Sequence, residues 1–273
     1  MPPRYPLTGF ATKGRAIKIK FFTLPGSDAE QAADSNRNGM NRNVFFHGFS
    51  IHYKESCKMK KRNGIIVYES LREIIGPEHS CLVVWDVQNG LVDRIFNKEE
   101  FMINLKNFIE KLHGKMPVVY TLITPMHRDF TSSWSYFSMM RRFNVDDINK
   151  LPSFMATGSK EREIPEMIQP KHTDIVLEKP TASIFIGTNF EHMMRNHNVT
   201  TLIFTGIATE MGIESSARDA SNRSFYPVVV SDCVSSLDKD AHELSLKTMA
   251  KLFIVETADN ILNNYETGNS KSA

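Results

Sequence analysis

Residues Thr201–Ala220 read TLIFTGIATEMGIESSARDA, and their reading decides the fold. Thr201 to Phe204 is short, β-branched and aromatic, the composition of a buried strand. Gly206 then releases the strand, Thr209 is placed to cap a helix through its side-chain oxygen, and Glu210 falls in a first turn where the helix dipole favours an anion. The stretch is therefore predicted to be a strand, an elbow and a helix. In an open parallel sheet such an elbow lies at the carboxyl end of the strand, where helix N-termini offer N–H donors to ligands.

Working outward, strands and helices alternate. CLVVWDVQ, from Cys81, is a nearly continuous apolar run of the kind buried on both faces of a sheet, and it ends at Asp86. Asn97 and Glu100 resemble an N-cap and its N3 partner, before a helix whose apolar face is Phe101, Leu105, Phe108, Ile109 and Leu112 and which ends at Gly114. PVVYTL, Pro117 to Leu122, is the second strand, and a long loop from Thr124 to Leu151 follows it. Glu163 to Ile168 reads as a short helix. Asp174 to Leu177 is a third strand leading into Glu178 and Lys179, with Lys179 extended because Pro180 follows. Thr188 and Glu191 have capping-box spacing for a helix to about Asn196. After the elbow come a strand from Tyr226 to Ser231, a helix capped by Asp238 that runs to about Lys251, a short edge strand from Phe253 to Glu256 and a last helical turn. Strands alternating with helices imply right-handed crossovers, hence an α/β fold: a three-layer α-β-α sandwich around a six-stranded, mostly parallel sheet. In a Rossmann-like order 3-2-1-4-5-6 the first and fourth strands flank the topological switch point, and Asp86, Lys179 and the elbow converge there.

The flanks read differently. Residues 1–58 mix Pro, Gly, Asn and Ser with isolated aromatics and show no sustained period, so we expect a poorly patterned extension, a domain over 59–265 and a disordered tail over 266–273. Met59, directly before KKR, is the expected natural start, and a chain beginning there is expected to fold. Five basic and no acidic residues among the first 27 leave room for a targeting segment, although IKIKFF is more strand-like than amphipathic helical.

Composition narrows the partners. With 41% hydrophobic and 23% charged residues the chain is ordinary globular material, and a formal charge of +2 from 33 basic and 31 acidic residues demands neither nucleic acid nor an anionic membrane. A small-molecule partner is expected. Three cysteines without CxxC or CxxH spacing argue against a disulfide framework or a zinc site and fit a reducing cytoplasm. No apolar run approaches the roughly 20 residues that span a bilayer.

Four segments in this order, VVWDVQNGLV, EKPTASIF, GIATEMGIESSARDA and FYPVVVSDCVSS, resemble the isochorismatase-like hydrolases, the cysteine hydrolase superfamily, over about residues 66–262. In most members an Asp acts as base, a Lys orients it or stabilises charge, and a Cys opening the elbow helix attacks a carbonyl. Asp86 and Lys179 match the first two; the Cys position is Gly212, which closes a thioester route there. Members that hydrolyse the vinyl ether of isochorismate also lack that Cys. The resemblance therefore implies an isochorismatase-like small-molecule hydrolase that uses Asp86, Lys179 and water. Asp86 would be either a general acid protonating carbon, or a base activating a water in the room left by the missing side chain. Lys179 and the backbone N–H groups of Ala208 and Gly212 would stabilise an oxyanion. It also implies a cis peptide between Ile207 and Ala208.

Gln88, Trp134, Phe137 and Thr209 are substrate-binding candidates, although Trp134, Tyr136 and Phe137 fit core or dimer contacts better. A homo-oligomer, dimer or tetramer, is expected. His127 has no DxH or HxxH neighbour, so the metal site of the nicotinamidase branch does not carry over, and neither metal nor cofactor is expected. Cys233 reads as a buried structural thiol and His242 as a helix-surface residue. Two alternatives stand beside the leading one: a non-catalytic metabolite-binding or oligomeric member, and an amidohydrolase with another nucleophile, for which Thr209 and Ser215 are the nearest hydroxyls.

Overall fold

The structure, a computed structural model, describes residues 60–266; the expectations for residues 1–58 and for the tail beyond 266 lie outside it. A small antiparallel hairpin, β1 (Lys60–Arg62) and β2 (Ile65–Val67), precedes the sheet. A one-turn helix α1 (Leu71–Ile74) follows, with Ser70 and Glu73 forming a reciprocal capping box. The central strands are β3 (Ser80–Trp85), β4 (Val118–Ile123), β5 (Ile175–Lys179), β6 (Thr201–Ile207), β7 (Tyr226–Ser235) and β8 (Ile254–Glu256). Between and after them lie α2 (Asn89–Val92), α3 (Lys98–Leu112), α4 (Ser133–Phe143), α5 (Phe190–Asn196), α6 (Glu214–Asn222), α7 (Lys239–Met249) and α8 (Ala258–Glu266).

The six strands pair in the order β5-β4-β3-β6-β7-β8, and every pairing is parallel. This is the order read from the sequence, with β3 and β6 central at the switch point. All six residues of β3 are buried, as its apolar run requires when helices cover both faces. Side chains alternate between the faces: Leu82 and Val84 pack with Phe101, Leu105 and Phe108 of α3, whereas Val83 and Trp85 pack with Phe190 of α5 and Ala217 of α6.

Several local expectations are corrected. Strand β6 does not stop at Gly206 but runs through it to Ile207, because that glycine, at φ +118°, pairs with Trp85 where a Cβ would meet the Trp85 backbone, 2.7 Å from its nitrogen. The long loop after β4 contains α4, capped by Ser132 accepting from the Ser135 N–H. The helix expected over 163–168 is a 3-10 turn at Glu166–Ile168 alone. Two predicted capping boxes are absent because their polar groups bond elsewhere: Asn97 Oδ1 accepts from the Ser235 hydroxyl, Thr188 donates to the Ile184 carbonyl, and Glu191 pairs with Arg223. Strand β5 begins at Ile175 and extends to Lys179, and β7 runs on to Ser235. Helix α8 reaches Glu266, one residue into the expected tail.

Candidate functional site

The carboxyl ends of β3, β5 and β6 meet. Asp86, one residue past β3, has φ +46°, a left-handed conformation uncommon for a residue with a side chain. Its N–H donates to Thr121 Oγ1 at 3.0 Å, and that hydroxyl donates back to Asp86 Oδ1 at 2.6 Å. Lys179, ending β5, donates to Asp86 Oδ2 at 2.7 Å and to the Thr181 carbonyl at 3.0 Å. Its Nζ lies 3.8 Å from the centroid of the Trp85 ring. Pro180 keeps this strand end extended, and that geometry carries the ammonium inward. An ammonium has three N–H directions, and here a carboxylate, a carbonyl and an aromatic face take them up. In this conformation Lys179 has a partner in each of those directions and holds the Asp86 carboxylate in place.

Asp86 is 4% exposed and Lys179 1%. Burial pushes the Asp86 carboxyl above the usual carboxylate range, against the opposing pull of the Lys179 charge and of the Lys179 and Thr121 hydrogen bonds. Burial likewise lowers Lys179, opposed by Asp86. The upward direction at Asp86 is the one a proton donor needs.

At the elbow the Ile207–Ala208 peptide is cis, as the resemblance implied. A π-helical turn, Thr209–Ile213, leads into α6. Gly212 is buried in this turn, and the space beside its Cα is filled: a Cβ there would clash with Trp85 Nε1 and Cε2 and lie 2.7 Å from Cζ2. The expectation that the missing side chain leaves room for a water is therefore wrong. The last side chain of β3 occupies that room.

The remaining candidates scatter. Gln88 is fully buried; its Oε1 accepts from Ile123 N–H at 2.8 Å and its amide donates to the Arg162 carbonyl at 3.0 Å. Its polar ends tie the end of β4 to the backbone at Arg162, so it is corrected from a substrate contact to a clamp. Thr209 does not cap the helix. Its hydroxyl donates to the Ser235 carbonyl at 3.1 Å and lies 2.8 Å from His242 Nδ1. Both Thr209 and His242 are buried, so the helix-surface reading of His242 is corrected as well, and burial lowers the affinity of its ring for a proton. Trp134 and Phe137 stand on α4, 71% and 52% exposed, with ring centroids 5.9 Å apart; they are neither core nor in contact with the Asp–Lys pair. His127 is exposed, and Cys81 and Cys233 are buried thiols pushed up by desolvation.

Sequence reasoning missed Thr121 and Trp85. A Thr in the second strand carries no signal by itself, and that the Trp directly before the strand-end acid faces the elbow Gly depends on a ring direction the sequence does not specify. A hollow of about 190 Å³ opens beside Lys179, lined by Thr124, Pro125, Met126, Glu178 and Pro180. A larger one, about 330 Å³, lies before β3, at the amino end of the strands, between Arg72 and Tyr265 and away from this chemistry.

A three-layer parallel α/β fold with an Asp–Lys pair facing a helix elbow at the switch point defines the class. The isochorismatase domain family matches residues 80–259, and the chain belongs to that family. It is 33% identical over 100 residues to the ureidoacrylate amidohydrolase RutB of Methylobacterium radiotolerans, covering 36% of this chain and 39% of that protein. The same enzyme of Acinetobacter baylyi is also 33% identical over 100 residues, covering 36% and 41%. The match thus spans about two fifths of the length of these curated relatives. The fold is shared with an isochorismatase family protein from Burkholderia thailandensis, with TM-score 0.57, 23% identity, and coverage of 69% of this chain and 96% of that one. Among the described residues no helix is long and apolar enough to cross a membrane.

Proposed function

We propose that the protein is an isochorismatase-family small-molecule hydrolase that works without a covalent intermediate, with Asp86 as its proton-transfer group and Lys179 holding that carboxyl in place. The observation that carries this reading is the Trp85 indole against Gly212: no side chain there can form an acyl adduct, while a buried carboxyl with a raised affinity for protons remains. Such a group suits cleavage of a vinyl ether. Asp86 gives its proton to the terminal carbon of the C=C–O unit, and water adds to the oxocarbenium carbon and returns a proton to the carboxylate. The hemiketal then collapses to a carbonyl compound and an alcohol.

A second reading, a family member that binds without turnover, is favoured by one observation: every N–H direction of Lys179 and both Asp86 oxygens are already partnered within the protein. Profiling the purified protein against isochorismate, ureidoacrylate and simple amides, with Asp86→Ala as control, separates the two. Turnover that disappears in Asp86→Ala supports the hydrolase. Saturable binding without turnover supports the alternative.

A further inference from the structure

The side chain that closes the elbow belongs to the residue just before the acid, and its ring has two neighbours. One edge, Nε1, Cε2 and Cζ2, lies against Gly212, and one face lies over the Lys179 ammonium. The ring is 1% exposed and sits among side chains of the sheet face covered by α5 and α6, so it cannot yield to a new neighbour without disturbing that core. An indole offers a donor N–H and a π face but no nucleophile, and a glycine offers only backbone.

We propose that Trp85 and Gly212 form a matched pair that sets the reaction class of this site: the indole excludes any nucleophilic side chain from position 212 and holds Lys179 toward Asp86. Trp85 is then the specificity-determining residue. It bars adducts that need volume at position 212. The consequence is non-additivity. Gly212→Cys alone puts a side chain into the indole, whereas shrinking residue 85 first makes room for the thiol beside Lys179. The proposal rests on the reading of Asp86 and Lys179 as the working groups only for its functional meaning; the packing claim stands or falls without turnover.

The test is a double-mutant cycle in the full chain: Gly212→Cys, Trp85→Val and both together, compared with the parent by melting temperature and by iodoacetamide labelling mapped to position 212. Overpacking of a tight core is expected to lower Tm in Gly212→Cys by about 3–10 °C, and the double variant is expected to melt above the sum of the two single losses. The thiol introduced at 212 is expected to alkylate in the double variant with a pH midpoint below the ordinary value of about 8.5, because Lys179 and the elbow N–H groups favour thiolate. An ordinary midpoint would overturn the claim that removing the indole opens position 212 to Lys179. Should Trp85→Val not fold, Trp85→Phe keeps a π face over Lys179 while removing the indole edge, and the same non-additivity is expected. The proposal is overturned if Gly212→Cys melts within about 1 °C of the parent, if the losses add, or if the thiol alkylates equally fast with Trp85 present. None of these outcomes bears on whether the parent hydrolyses a substrate, so failure here is distinct from failure of the hydrolase reading.

Discussion

Lys179→Met removes one charge from the buried pair and keeps most of the side chain's length. The carboxyl left behind is 4% exposed and retains only Thr121 as a side-chain donor at 2.6 Å. Breaking a buried ion pair by deleting one partner typically costs about 3–5 kcal/mol. The loss also acquires a pH dependence of known sign. Without Lys179 the desolvation that already raises Asp86 goes unopposed by that charge, so the folded state binds the proton more tightly than the unfolded chain does. Between the unfolded Asp pKa, about 3.9, and the raised folded value, the variant's stability falls as pH rises, by up to about 1.4 kcal/mol per pH unit. Below the unfolded value the penalty is smallest. Urea unfolding of parent and variant at pH 5 and pH 8 measures it, with a larger deficit expected at pH 8. Adding Asp86→Asn to Lys179→Met removes the orphaned charge and is expected to restore part of the stability and abolish the pH trend. A deficit below about 1 kcal/mol that is the same at both pH values would refute the reasoning.

Thr209→Val strands His242 Nδ1 in a buried site, and unfolding in urea is expected to show a loss of about 1–3 kcal/mol. Because burial lowers the His242 pKa, the unfolded chain binds more protons just below the usual His range. This residue's share of stability is therefore lost as pH falls below about 6.5, and the parent should show that loss while His242→Gln should not. Cys81 and Cys233 are buried and disfavour thiolate, so mass mapping after iodoacetamide is expected to find both unmodified in native protein and modified after unfolding in urea. Trp134→Ala and Phe137→Ala, at exposed positions, are expected to change the stability measured by urea unfolding by no more than the roughly 0.5 kcal/mol of ordinary surface substitutions.

The architecture was legible because the sheet is buried on both faces: CLVVW and TLIF are apolar without interruption, and only covered parallel strands need that. Asp86 and Lys179 were legible as strand-end charges, and their meeting at 2.7 Å follows from the strand order. Capping was less so. Asn97, Thr188 and Thr209 each have the chemistry of a cap, but distant partners, Ser235 and His242, took the side chains of Asn97 and Thr209, and the Thr188 hydroxyl donates back to the Ile184 carbonyl while accepting from the Phe190 N–H. The helix at Ser133–Phe143 was hidden because, within it, none of the residues is buried and its aromatic residues mimic a loop's functional side chains. Gly212 showed what chemistry is absent, whereas what fills the gap depended on the direction of the Trp85 ring, which strand alternation alone does not specify.

The central claim is that Asp86 moves the proton, and the most direct measurement is the hydrolysis rate of Asp86→Asn relative to the parent, on whichever substrate profiling identifies. The amide keeps the shape of the carboxyl and neither donates nor accepts the proton, so the rate is expected to fall by about 10²-fold or more, with a smaller change in binding. A rate equal to that of the parent would contradict the account and move the chemistry away from the end of β3.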